Sequence, residues 1–238
     1  MQGGRIGRPF HFSMLKRLLF VLTVATSLHA APPPTYHLEL EAYPAAPFPW
    51  LSKFGKVTLH VYPGGVRAET IWLNGFSRNG DKIFTIENPY GRMYSEMPLS
   101  EIAPVVTKLA GHRAAWANDN PPVLAPMAGS VRGVAAQRYR LVYGPEAFID
   151  VWTTTTIADN PQLRAIAMEF VRSIAPGTAT AMQKIPGMPL YIELNFRSFR
   201  KLPLLRMMKI EDDAKDEADA LKRGTLYFKA PYDVLLWH

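Results

Sequence analysis

Apolar and polar residues alternate with period two in the first well-patterned segment of the chain. Tyr36, Leu38 and Leu40 fall on one side, and His37, Glu39 and Glu41 on the other. One apolar and one wet face predict a half-exposed antiparallel strand over residues 36–43. Residues 56–62 repeat the pattern, with Val57, Leu59 and Val61 against Lys56, Thr58 and His60. Three short strands are expected next, at 66–73, 82–87 and 92–97, with turns at Asn79-Gly80-Asp81 and Asn88-Pro89-Tyr90-Gly91. This meander reads as the centre of an antiparallel sheet.

The period then changes. Ile102, Val105, Val106 and Leu109 sit at helical spacing behind Ser100, a capping residue, and before Gly111. This predicts a helix over 101–110, with Pro104 in its first turn. Residues 117–127 hold Asn-Asp-Asn-Pro-Pro and Ala-Pro and predict a loop, either a lid or an insertion. Strands follow at 131–134, 137–143 and 148–154. Asp159-Asn160-Pro161 is a helix start with an acceptor at the cap and proline at the first helical position. Leu163, Ile166, Ala167, Phe170, Val171 and Ile174 keep one apolar stripe up to Pro176-Gly177. Further strands are expected at 190–196, with Leu190, Ile192, Leu194 and Phe196 on one face, and at 205–211. The charged stretch 211–222 is either a short helix or a loop. Residues 225–229 read as a strand or extended tail, and Pro231 predicts irregular final residues.

Strands, helix, strands, helix, strands is the order of an α+β domain with a large curved antiparallel sheet and helices on one face. Alternating strands and helices would instead have implied a parallel sheet.

Composition changes this picture at the N-terminus. Lys16 and Arg17 precede an apolar run at 18–25, small residues at Ser27, Ala30 and Ala31, and Pro32-Pro33-Pro34. This predicts a secretory signal peptide over residues 1–30, with residues 1–13 an over-called start before Met14. A periplasmic or secreted protein, soluble after cleavage, is expected, with residues 31–238 as a single domain. The formal charge of +7 shrinks with the leader, because Arg5, Arg8, Lys16 and Arg17 are four of the 27 bases and it holds none of the 20 acids. The remaining net charge of about +3 carries no argument for nucleic acid. The chain has no cysteine. Disulfides, thiolate metal sites, a cysteine nucleophile and a lipid-modified cysteine are all excluded.

Catalytic motifs are missing from the letters. His37, His60, His112 and His238 fall on separate elements with no metal-ligand spacing, and read as solvent-facing side chains. No GxSxG, P-loop or GxGxxG occurs. Glu39/Glu41 face solvent by alternation, and Glu211/Asp212/Asp213 lie in a charged run. No catalytic residue, metal or cofactor is therefore expected.

Apolar surface remains, either as packed core or as the wall of a cavity between sheet and helix. The candidates are Leu38, Leu40, Val57, Leu59, Val61, Leu163, Ile166, Phe170, Leu190, Ile192 and Leu194. Met93, Met97, Met168, Met182, Met188, Met207 and Met208 suit either reading, because methionines repack readily. The cavity reading implies a hydrophobic small molecule or acyl chain as ligand of a monomer. The core reading implies a structural or interaction module of the cell envelope, partnered by another envelope protein.

YHLELEAY, GGVRAE, KIFTIENPYGRMYSEM, AQRYRLVYG turning into FIDVWTT, IPGMPLYIEL and LYFKAP follow one another in the order seen in the outer-membrane lipoprotein carrier superfamily. The chain resembles these LolA/LolB-like half-barrels over most of residues 36–232. The resemblance implies an unclosed half-barrel with two or three helices on its concave face, around a cavity that shields acyl chains. It also implies an arginine on an early strand that latches a helical lid, for which Arg67 in GVRAE is the nearest match. The 117–127 and 211–222 stretches depart from a simple carrier.

Overall fold

The computed structural model describes residues 35–42, 55–110, 119–145, 147–196, 199–212 and 215–237. Residues 1–30, over which a signal peptide is expected, residues 111–118, His112 and His238 lie outside the described residues. Among the described residues, twelve strands form one sheet: β1 (Tyr36–Ala42), β2 (Lys56–Tyr62), β3 (Gly65–Glu69), β4 (Asn74–Arg78), β5 (Ile83–Asn88), β6 (Met93–Pro98), β7 (Val123–Val131), β8 (Val134–Val142), β9 (Ala147–Thr154), β10 (Met188–Phe196), β11 (Phe199–Asp212) and β12 (Phe228–Lys229). Five helices accompany them: α1 (Leu99–Ala110), α2 (Pro161–Ile174), α3 (Pro176–Met182), α4 (Glu217–Ala220) and α5 (Tyr232–Trp237). The fold is α+β.

The strand order is β12-β6-β5-β4-β3-β2-β1-β11-β10-β9-β8-β7, so the sheet is unclosed. Every pairing is antiparallel except β12 with β6. The first strand lies in the middle: β1 pairs with β2 on one side and with β11 on the other.

Alternation places the faces. Leu38, Leu40, Val61, Val66, Phe84 and Ile86 share one core with Ile102, Val105 and Val106 of α1 and Ile166 of α2. A second cluster joins Leu141, Ile149, Val151 and Leu194 of the sheet to Met168 of α2 and Ala181 and Met182 of α3. The opposite side chains of β2–β6, including His60, Arg67, Phe76 and Glu87, face the C-terminal segment.

Helix α2 starts as the sequence predicts. Asn160 caps it, its Oδ1 accepting from the N–H groups of Gln162 at 2.9 Å and Leu163 at 3.0 Å, with Pro161 at the first turn. The same two residues dock the helix on the sheet. Asn160 Nδ2 donates to the Tyr62 carbonyl at 3.2 Å, and Gln162 Nε2 donates to Ser77 Oγ at 2.7 Å and to the Asp81 carbonyl at 2.9 Å.

Several expectations are corrected. The strand expected over 66–73 ends at Glu69. The Thr70 hydroxyl donates to the Leu73 carbonyl at 2.7 Å and accepts from the Leu73 N–H at 2.9 Å, closing a turn. That turn leaves Ile71 and Trp72 exposed, and NGFSR, which reads as turn letters, becomes β4. The Phe84 ring covers Gly75 there, which explains a glycine in a strand. The last five residues of the loop expected at 117–127 belong to β7, and Pro126 is accommodated where the register shifts between Leu124 and Met127. Only an edge strand at an irregularity tolerates such a proline.

Helix α1 begins at Leu99, so Ser100 lies inside it and Pro104 sits beyond the first turn. Pro176 opens α3 rather than merely ending α2, and Pro231 precedes α5. Proline at a helix start loses no internal hydrogen bond, so both segments continue as helix. Strand β11 is fourteen residues long and begins at Phe199, well before the expected 205. Among the described residues of 211–222, the first two end β11 and 217–220 form the helical turn α4, capped by Asp216.

Candidate functional site

An apolar cavity of about 100 Å³ lies where α2 and α3 meet strands β1, β2, β9, β10 and β11. Of the residues singled out by pattern, Leu40, Leu59 and Leu163 line it. Leu38, Val61, Ile166 and Leu190 are buried in the core beside it, and Val57 packs against that core. Leu194 and Ile192 belong to the neighbouring cluster. Phe170 is 38 % exposed and joins neither. The remaining wall includes Ala167, Met168, Met182, Ile185 and Met188. Three of the seven methionines expected as adaptable packers converge here, and they do so through α3, a helix that no period in the sequence marks.

Arg164 also lines this cavity. It projects from α2 and donates to the carbonyls of Ile185 at 3.0 Å and Gly187 at 2.9 Å, while its Nη2 lies 2.6 Å from Asp159 Oδ2. One guanidinium thus ties the start of α2 to the turn that launches β10. No spacing rule finds this residue, because two of its acceptors are backbone carbonyls more than twenty positions away.

Arg67 lies on the opposite face of the sheet from α1 and α2. Its Nε donates to Glu69 at 2.9 Å, Nη2 to Glu87 at 3.1 Å and Nη1 to the Ala220 carbonyl of α4 at 3.1 Å. Glu87 is 1 % exposed, and its second oxygen accepts from the Gly224 N–H at 2.8 Å. Both oxygens of a fully buried carboxylate are therefore satisfied, as burial of a charge requires. The residue that the resemblance assigns as a latch thus holds the C-terminal segment, which crosses this face as a strap.

The strap has further anchors. Lys215 Nζ donates to both Glu69 oxygens at 3.1 and 3.0 Å, and Arg78 donates to the Leu221 carbonyl at 3.0 Å. The Arg223 guanidinium lies 4.1 Å over the Tyr94 ring. Ala220 and Leu221 pack with Tyr62 and Phe76. A side chain at Gly64 would collide with Glu217, so that glycine makes room for α4, and one at Gly65 would collide with the Ser77 carbonyl of β4 and with Leu221. Hydrogen bonds from His60, Lys215 and Arg67 hold the Glu69 carboxyl well below the usual glutamate range, against the opposing effect of burial. His60 is buried here, which corrects the expectation of a solvent-facing side chain: Glu69 and Lys215 lie within 3.4 and 3.3 Å of its Nε2. His37 is half-buried beside Glu211 at 3.2 Å.

Strap and sheet enclose a polar cleft of about 500 Å³, lined by Arg67, Glu69, Glu87, Lys215, Arg223 and Tyr227 among others. Its inner carboxylates each meet a cation or a backbone N–H, so their chemistry is to fix the strap. Among the described residues, no three histidine, aspartate or glutamate side chains gather as a metal would need. Among the same residues, no helix is long and apolar enough to cross a membrane.

No family model matches the chain, and no curated protein matches it. Among solved structures, an uncharacterised conserved protein from Thermus thermophilus is similar at 8 % identity, over 90 % of this chain and 98 % of that one, with a TM-score of 0.46.

Proposed function

We propose that this is an exported, non-catalytic binding protein whose sheet curves into a LolA/LolB-like half-barrel, with α1, α2 and α3 on its concave side, and which takes a hydrophobic ligand or acyl chain beneath α2. The observation that carries the reading is the apolar cavity under α2, with Leu40, Leu59, Leu163 and three methionines in its wall. Its volume of about 100 Å³ is below the roughly 300–1,000 Å³ of ligand clefts. Entry of a chain therefore requires α2 and α3 to move outward and the methionines to repack. Arg164 is the clasp that this movement has to open, since it joins α2 to the carbonyls at Ile185 and Gly187.

Native mass spectrometry of the purified protein, followed by titration with a fluorescent fatty acid, tests the reading. A co-purified lipid and saturable binding are expected, with binding lost when Ala167→Phe fills the cavity. Protein that carries no lipid and shows no saturable signal would sink it.

The second reading is an interaction module of the cell envelope with a filled core. The small volume of the same cavity favours it. Capture of a defined envelope partner by lipid-free protein, undisturbed by Ala167→Phe, is its signature.

A further inference from the structure

The two edges of the sheet are finished differently. Strand β6 is covered: β12 lies along it, the Phe228 and Ala230 N–H groups donate to the carbonyls of Arg92 and Tyr94, and Leu235 of α5 enters the core. Strand β7 pairs with β8 alone, and among the described residues nothing lies along its outer side. It is nine residues long, VLAPMAGSV, and carries no charge. Leu124 is 49 % and Met127 58 % exposed. Soluble proteins normally guard such an edge with lysine, proline or a bulge, because its free N–H and C=O groups template a further strand. Here proline and irregular register guard only the first half, at Ala125-Pro126.

The unguarded half, Met127–Val131 by number, has a defined polarity. Arg132 and Gly133, at φ 48° and 83°, form a two-residue turn that makes Val131 and Val134 a hydrogen-bonded pair. Alternation along the ladder then points the N–H and C=O of Gly129 inward to β8, and those of Ala128 and Ser130 outward.

We propose that this segment pairs antiparallel with the same segment of a second copy about a two-fold axis at Gly129. Ala128 of each copy then exchanges both hydrogen bonds with Ser130 of the other, giving four in all. Gly129 faces Gly129 across the closer, non-bonded pair, where a side chain is not in the way. Met127 lies opposite Val131 as an apolar cross-strand pair. The second copy is the occupant the strand's own chemistry selects. An isologous contact sets each residue type against its own neighbours, which a charged edge forbids and this uncharged one permits. The sequence leads to the expectation of a monomer, and VLAPMAGSV carries no apolar alternation that would mark it as a strand.

Sedimentation equilibrium of the full chain over a concentration series tests the pairing. A reversible monomer–dimer equilibrium is expected. In the A128K/S130K variant, lysines oppose lysines across the axis, and the midpoint concentration rises by about tenfold or more. Mixing that variant with A128E/S130E restores a heterodimer. Both positions are exposed, so circular dichroism melts of the variants should match wild type. Ser130→Pro, which removes only an outward N–H, weakens the dimer by a second route. Wild-type protein that stays monomeric, a dimer indifferent to A128K/S130K, or oppositely charged variants that do not associate would each overturn the proposal.

Discussion

The two sides of the sheet around β2–β5 are held by different physics. On the helix side, Val61, Val66, Phe84 and Ile86 meet α1 and α2 through apolar burial, and Asn160 and Gln162 tie α2 to Tyr62 and Ser77 by neutral hydrogen bonds. On the strap side, a small apolar patch of Tyr62, Phe76, Ala220 and Leu221 is surrounded by Arg67, Glu69, Glu87 and Lys215. Burial is non-directional and tolerates repacking, whereas a buried carboxylate with two fixed donors does not. On the proposed binding function, the helix side is the one that yields volume to a guest. The strap side is specified as one geometry.

Substitutions break this contrast in order of size. Leu190→Ala removes a side chain with no exposed surface from the helix-side core and should cost about 3–4 kcal/mol in urea unfolding. Every slowly exchanging amide in the sheet should lose protection with it. Glu87→Ala takes one of two carboxylates from the buried Arg67, leaves the Gly224 N–H without its acceptor and should cost about 3 kcal/mol. Its distinguishing mark is location: hydrogen exchange should accelerate first at residues 215–230. Equal loss of protection on both sides would mean that the strap is not a separate unit.

Asn160→Ala removes the cap of α2 and its tie to Tyr62, at about 1 kcal/mol. If α2 is the movable wall, this variant should take up fluorescent fatty acid faster than wild type, and stopped-flow mixing reads that rate. The smallest effect is in pH. Glu69 is held below its ordinary value, so its ionised form binds protons less readily in the folded chain than in the unfolded one. Its contribution is present above about pH 4 and declines as pH falls further. Acid titration of wild type and Glu69→Gln should show that slope in the first and a flatter curve in the second.

Much of this was legible in the letters. The alternation in YHLELEA, the cap at Asn160-Pro161 and the stripe from Leu163 each report a local signal, and the structure keeps the first two and, apart from the exposed Phe170, the third. Strand β4 was not legible, because Asn74, Gly75 and Ser77 are turn residues by propensity and become strand only between β3 and β5, under the ring of Phe84. The ion network was half legible. Arg67 and Glu69 stand two apart on one face of a strand. Glu87 and the Ala220 carbonyl, however, come to Arg67 from 20 and 153 positions away, and Lys215 comes to Glu69 from 146.

The sequence by itself determined the class of fold, the strands with clear alternation and the apolar face of α2, because each depends on periods of two and 3.6 residues that neighbouring side chains report. Only the tertiary structure decided that β1 lies mid-sheet against β11, that the C-terminal strap rather than a helix on the other face receives Arg67, and that β7 is the last strand at one end of the sheet order. Those are pairings between distant segments. They are selected by which buried groups find partners, and no local period encodes them.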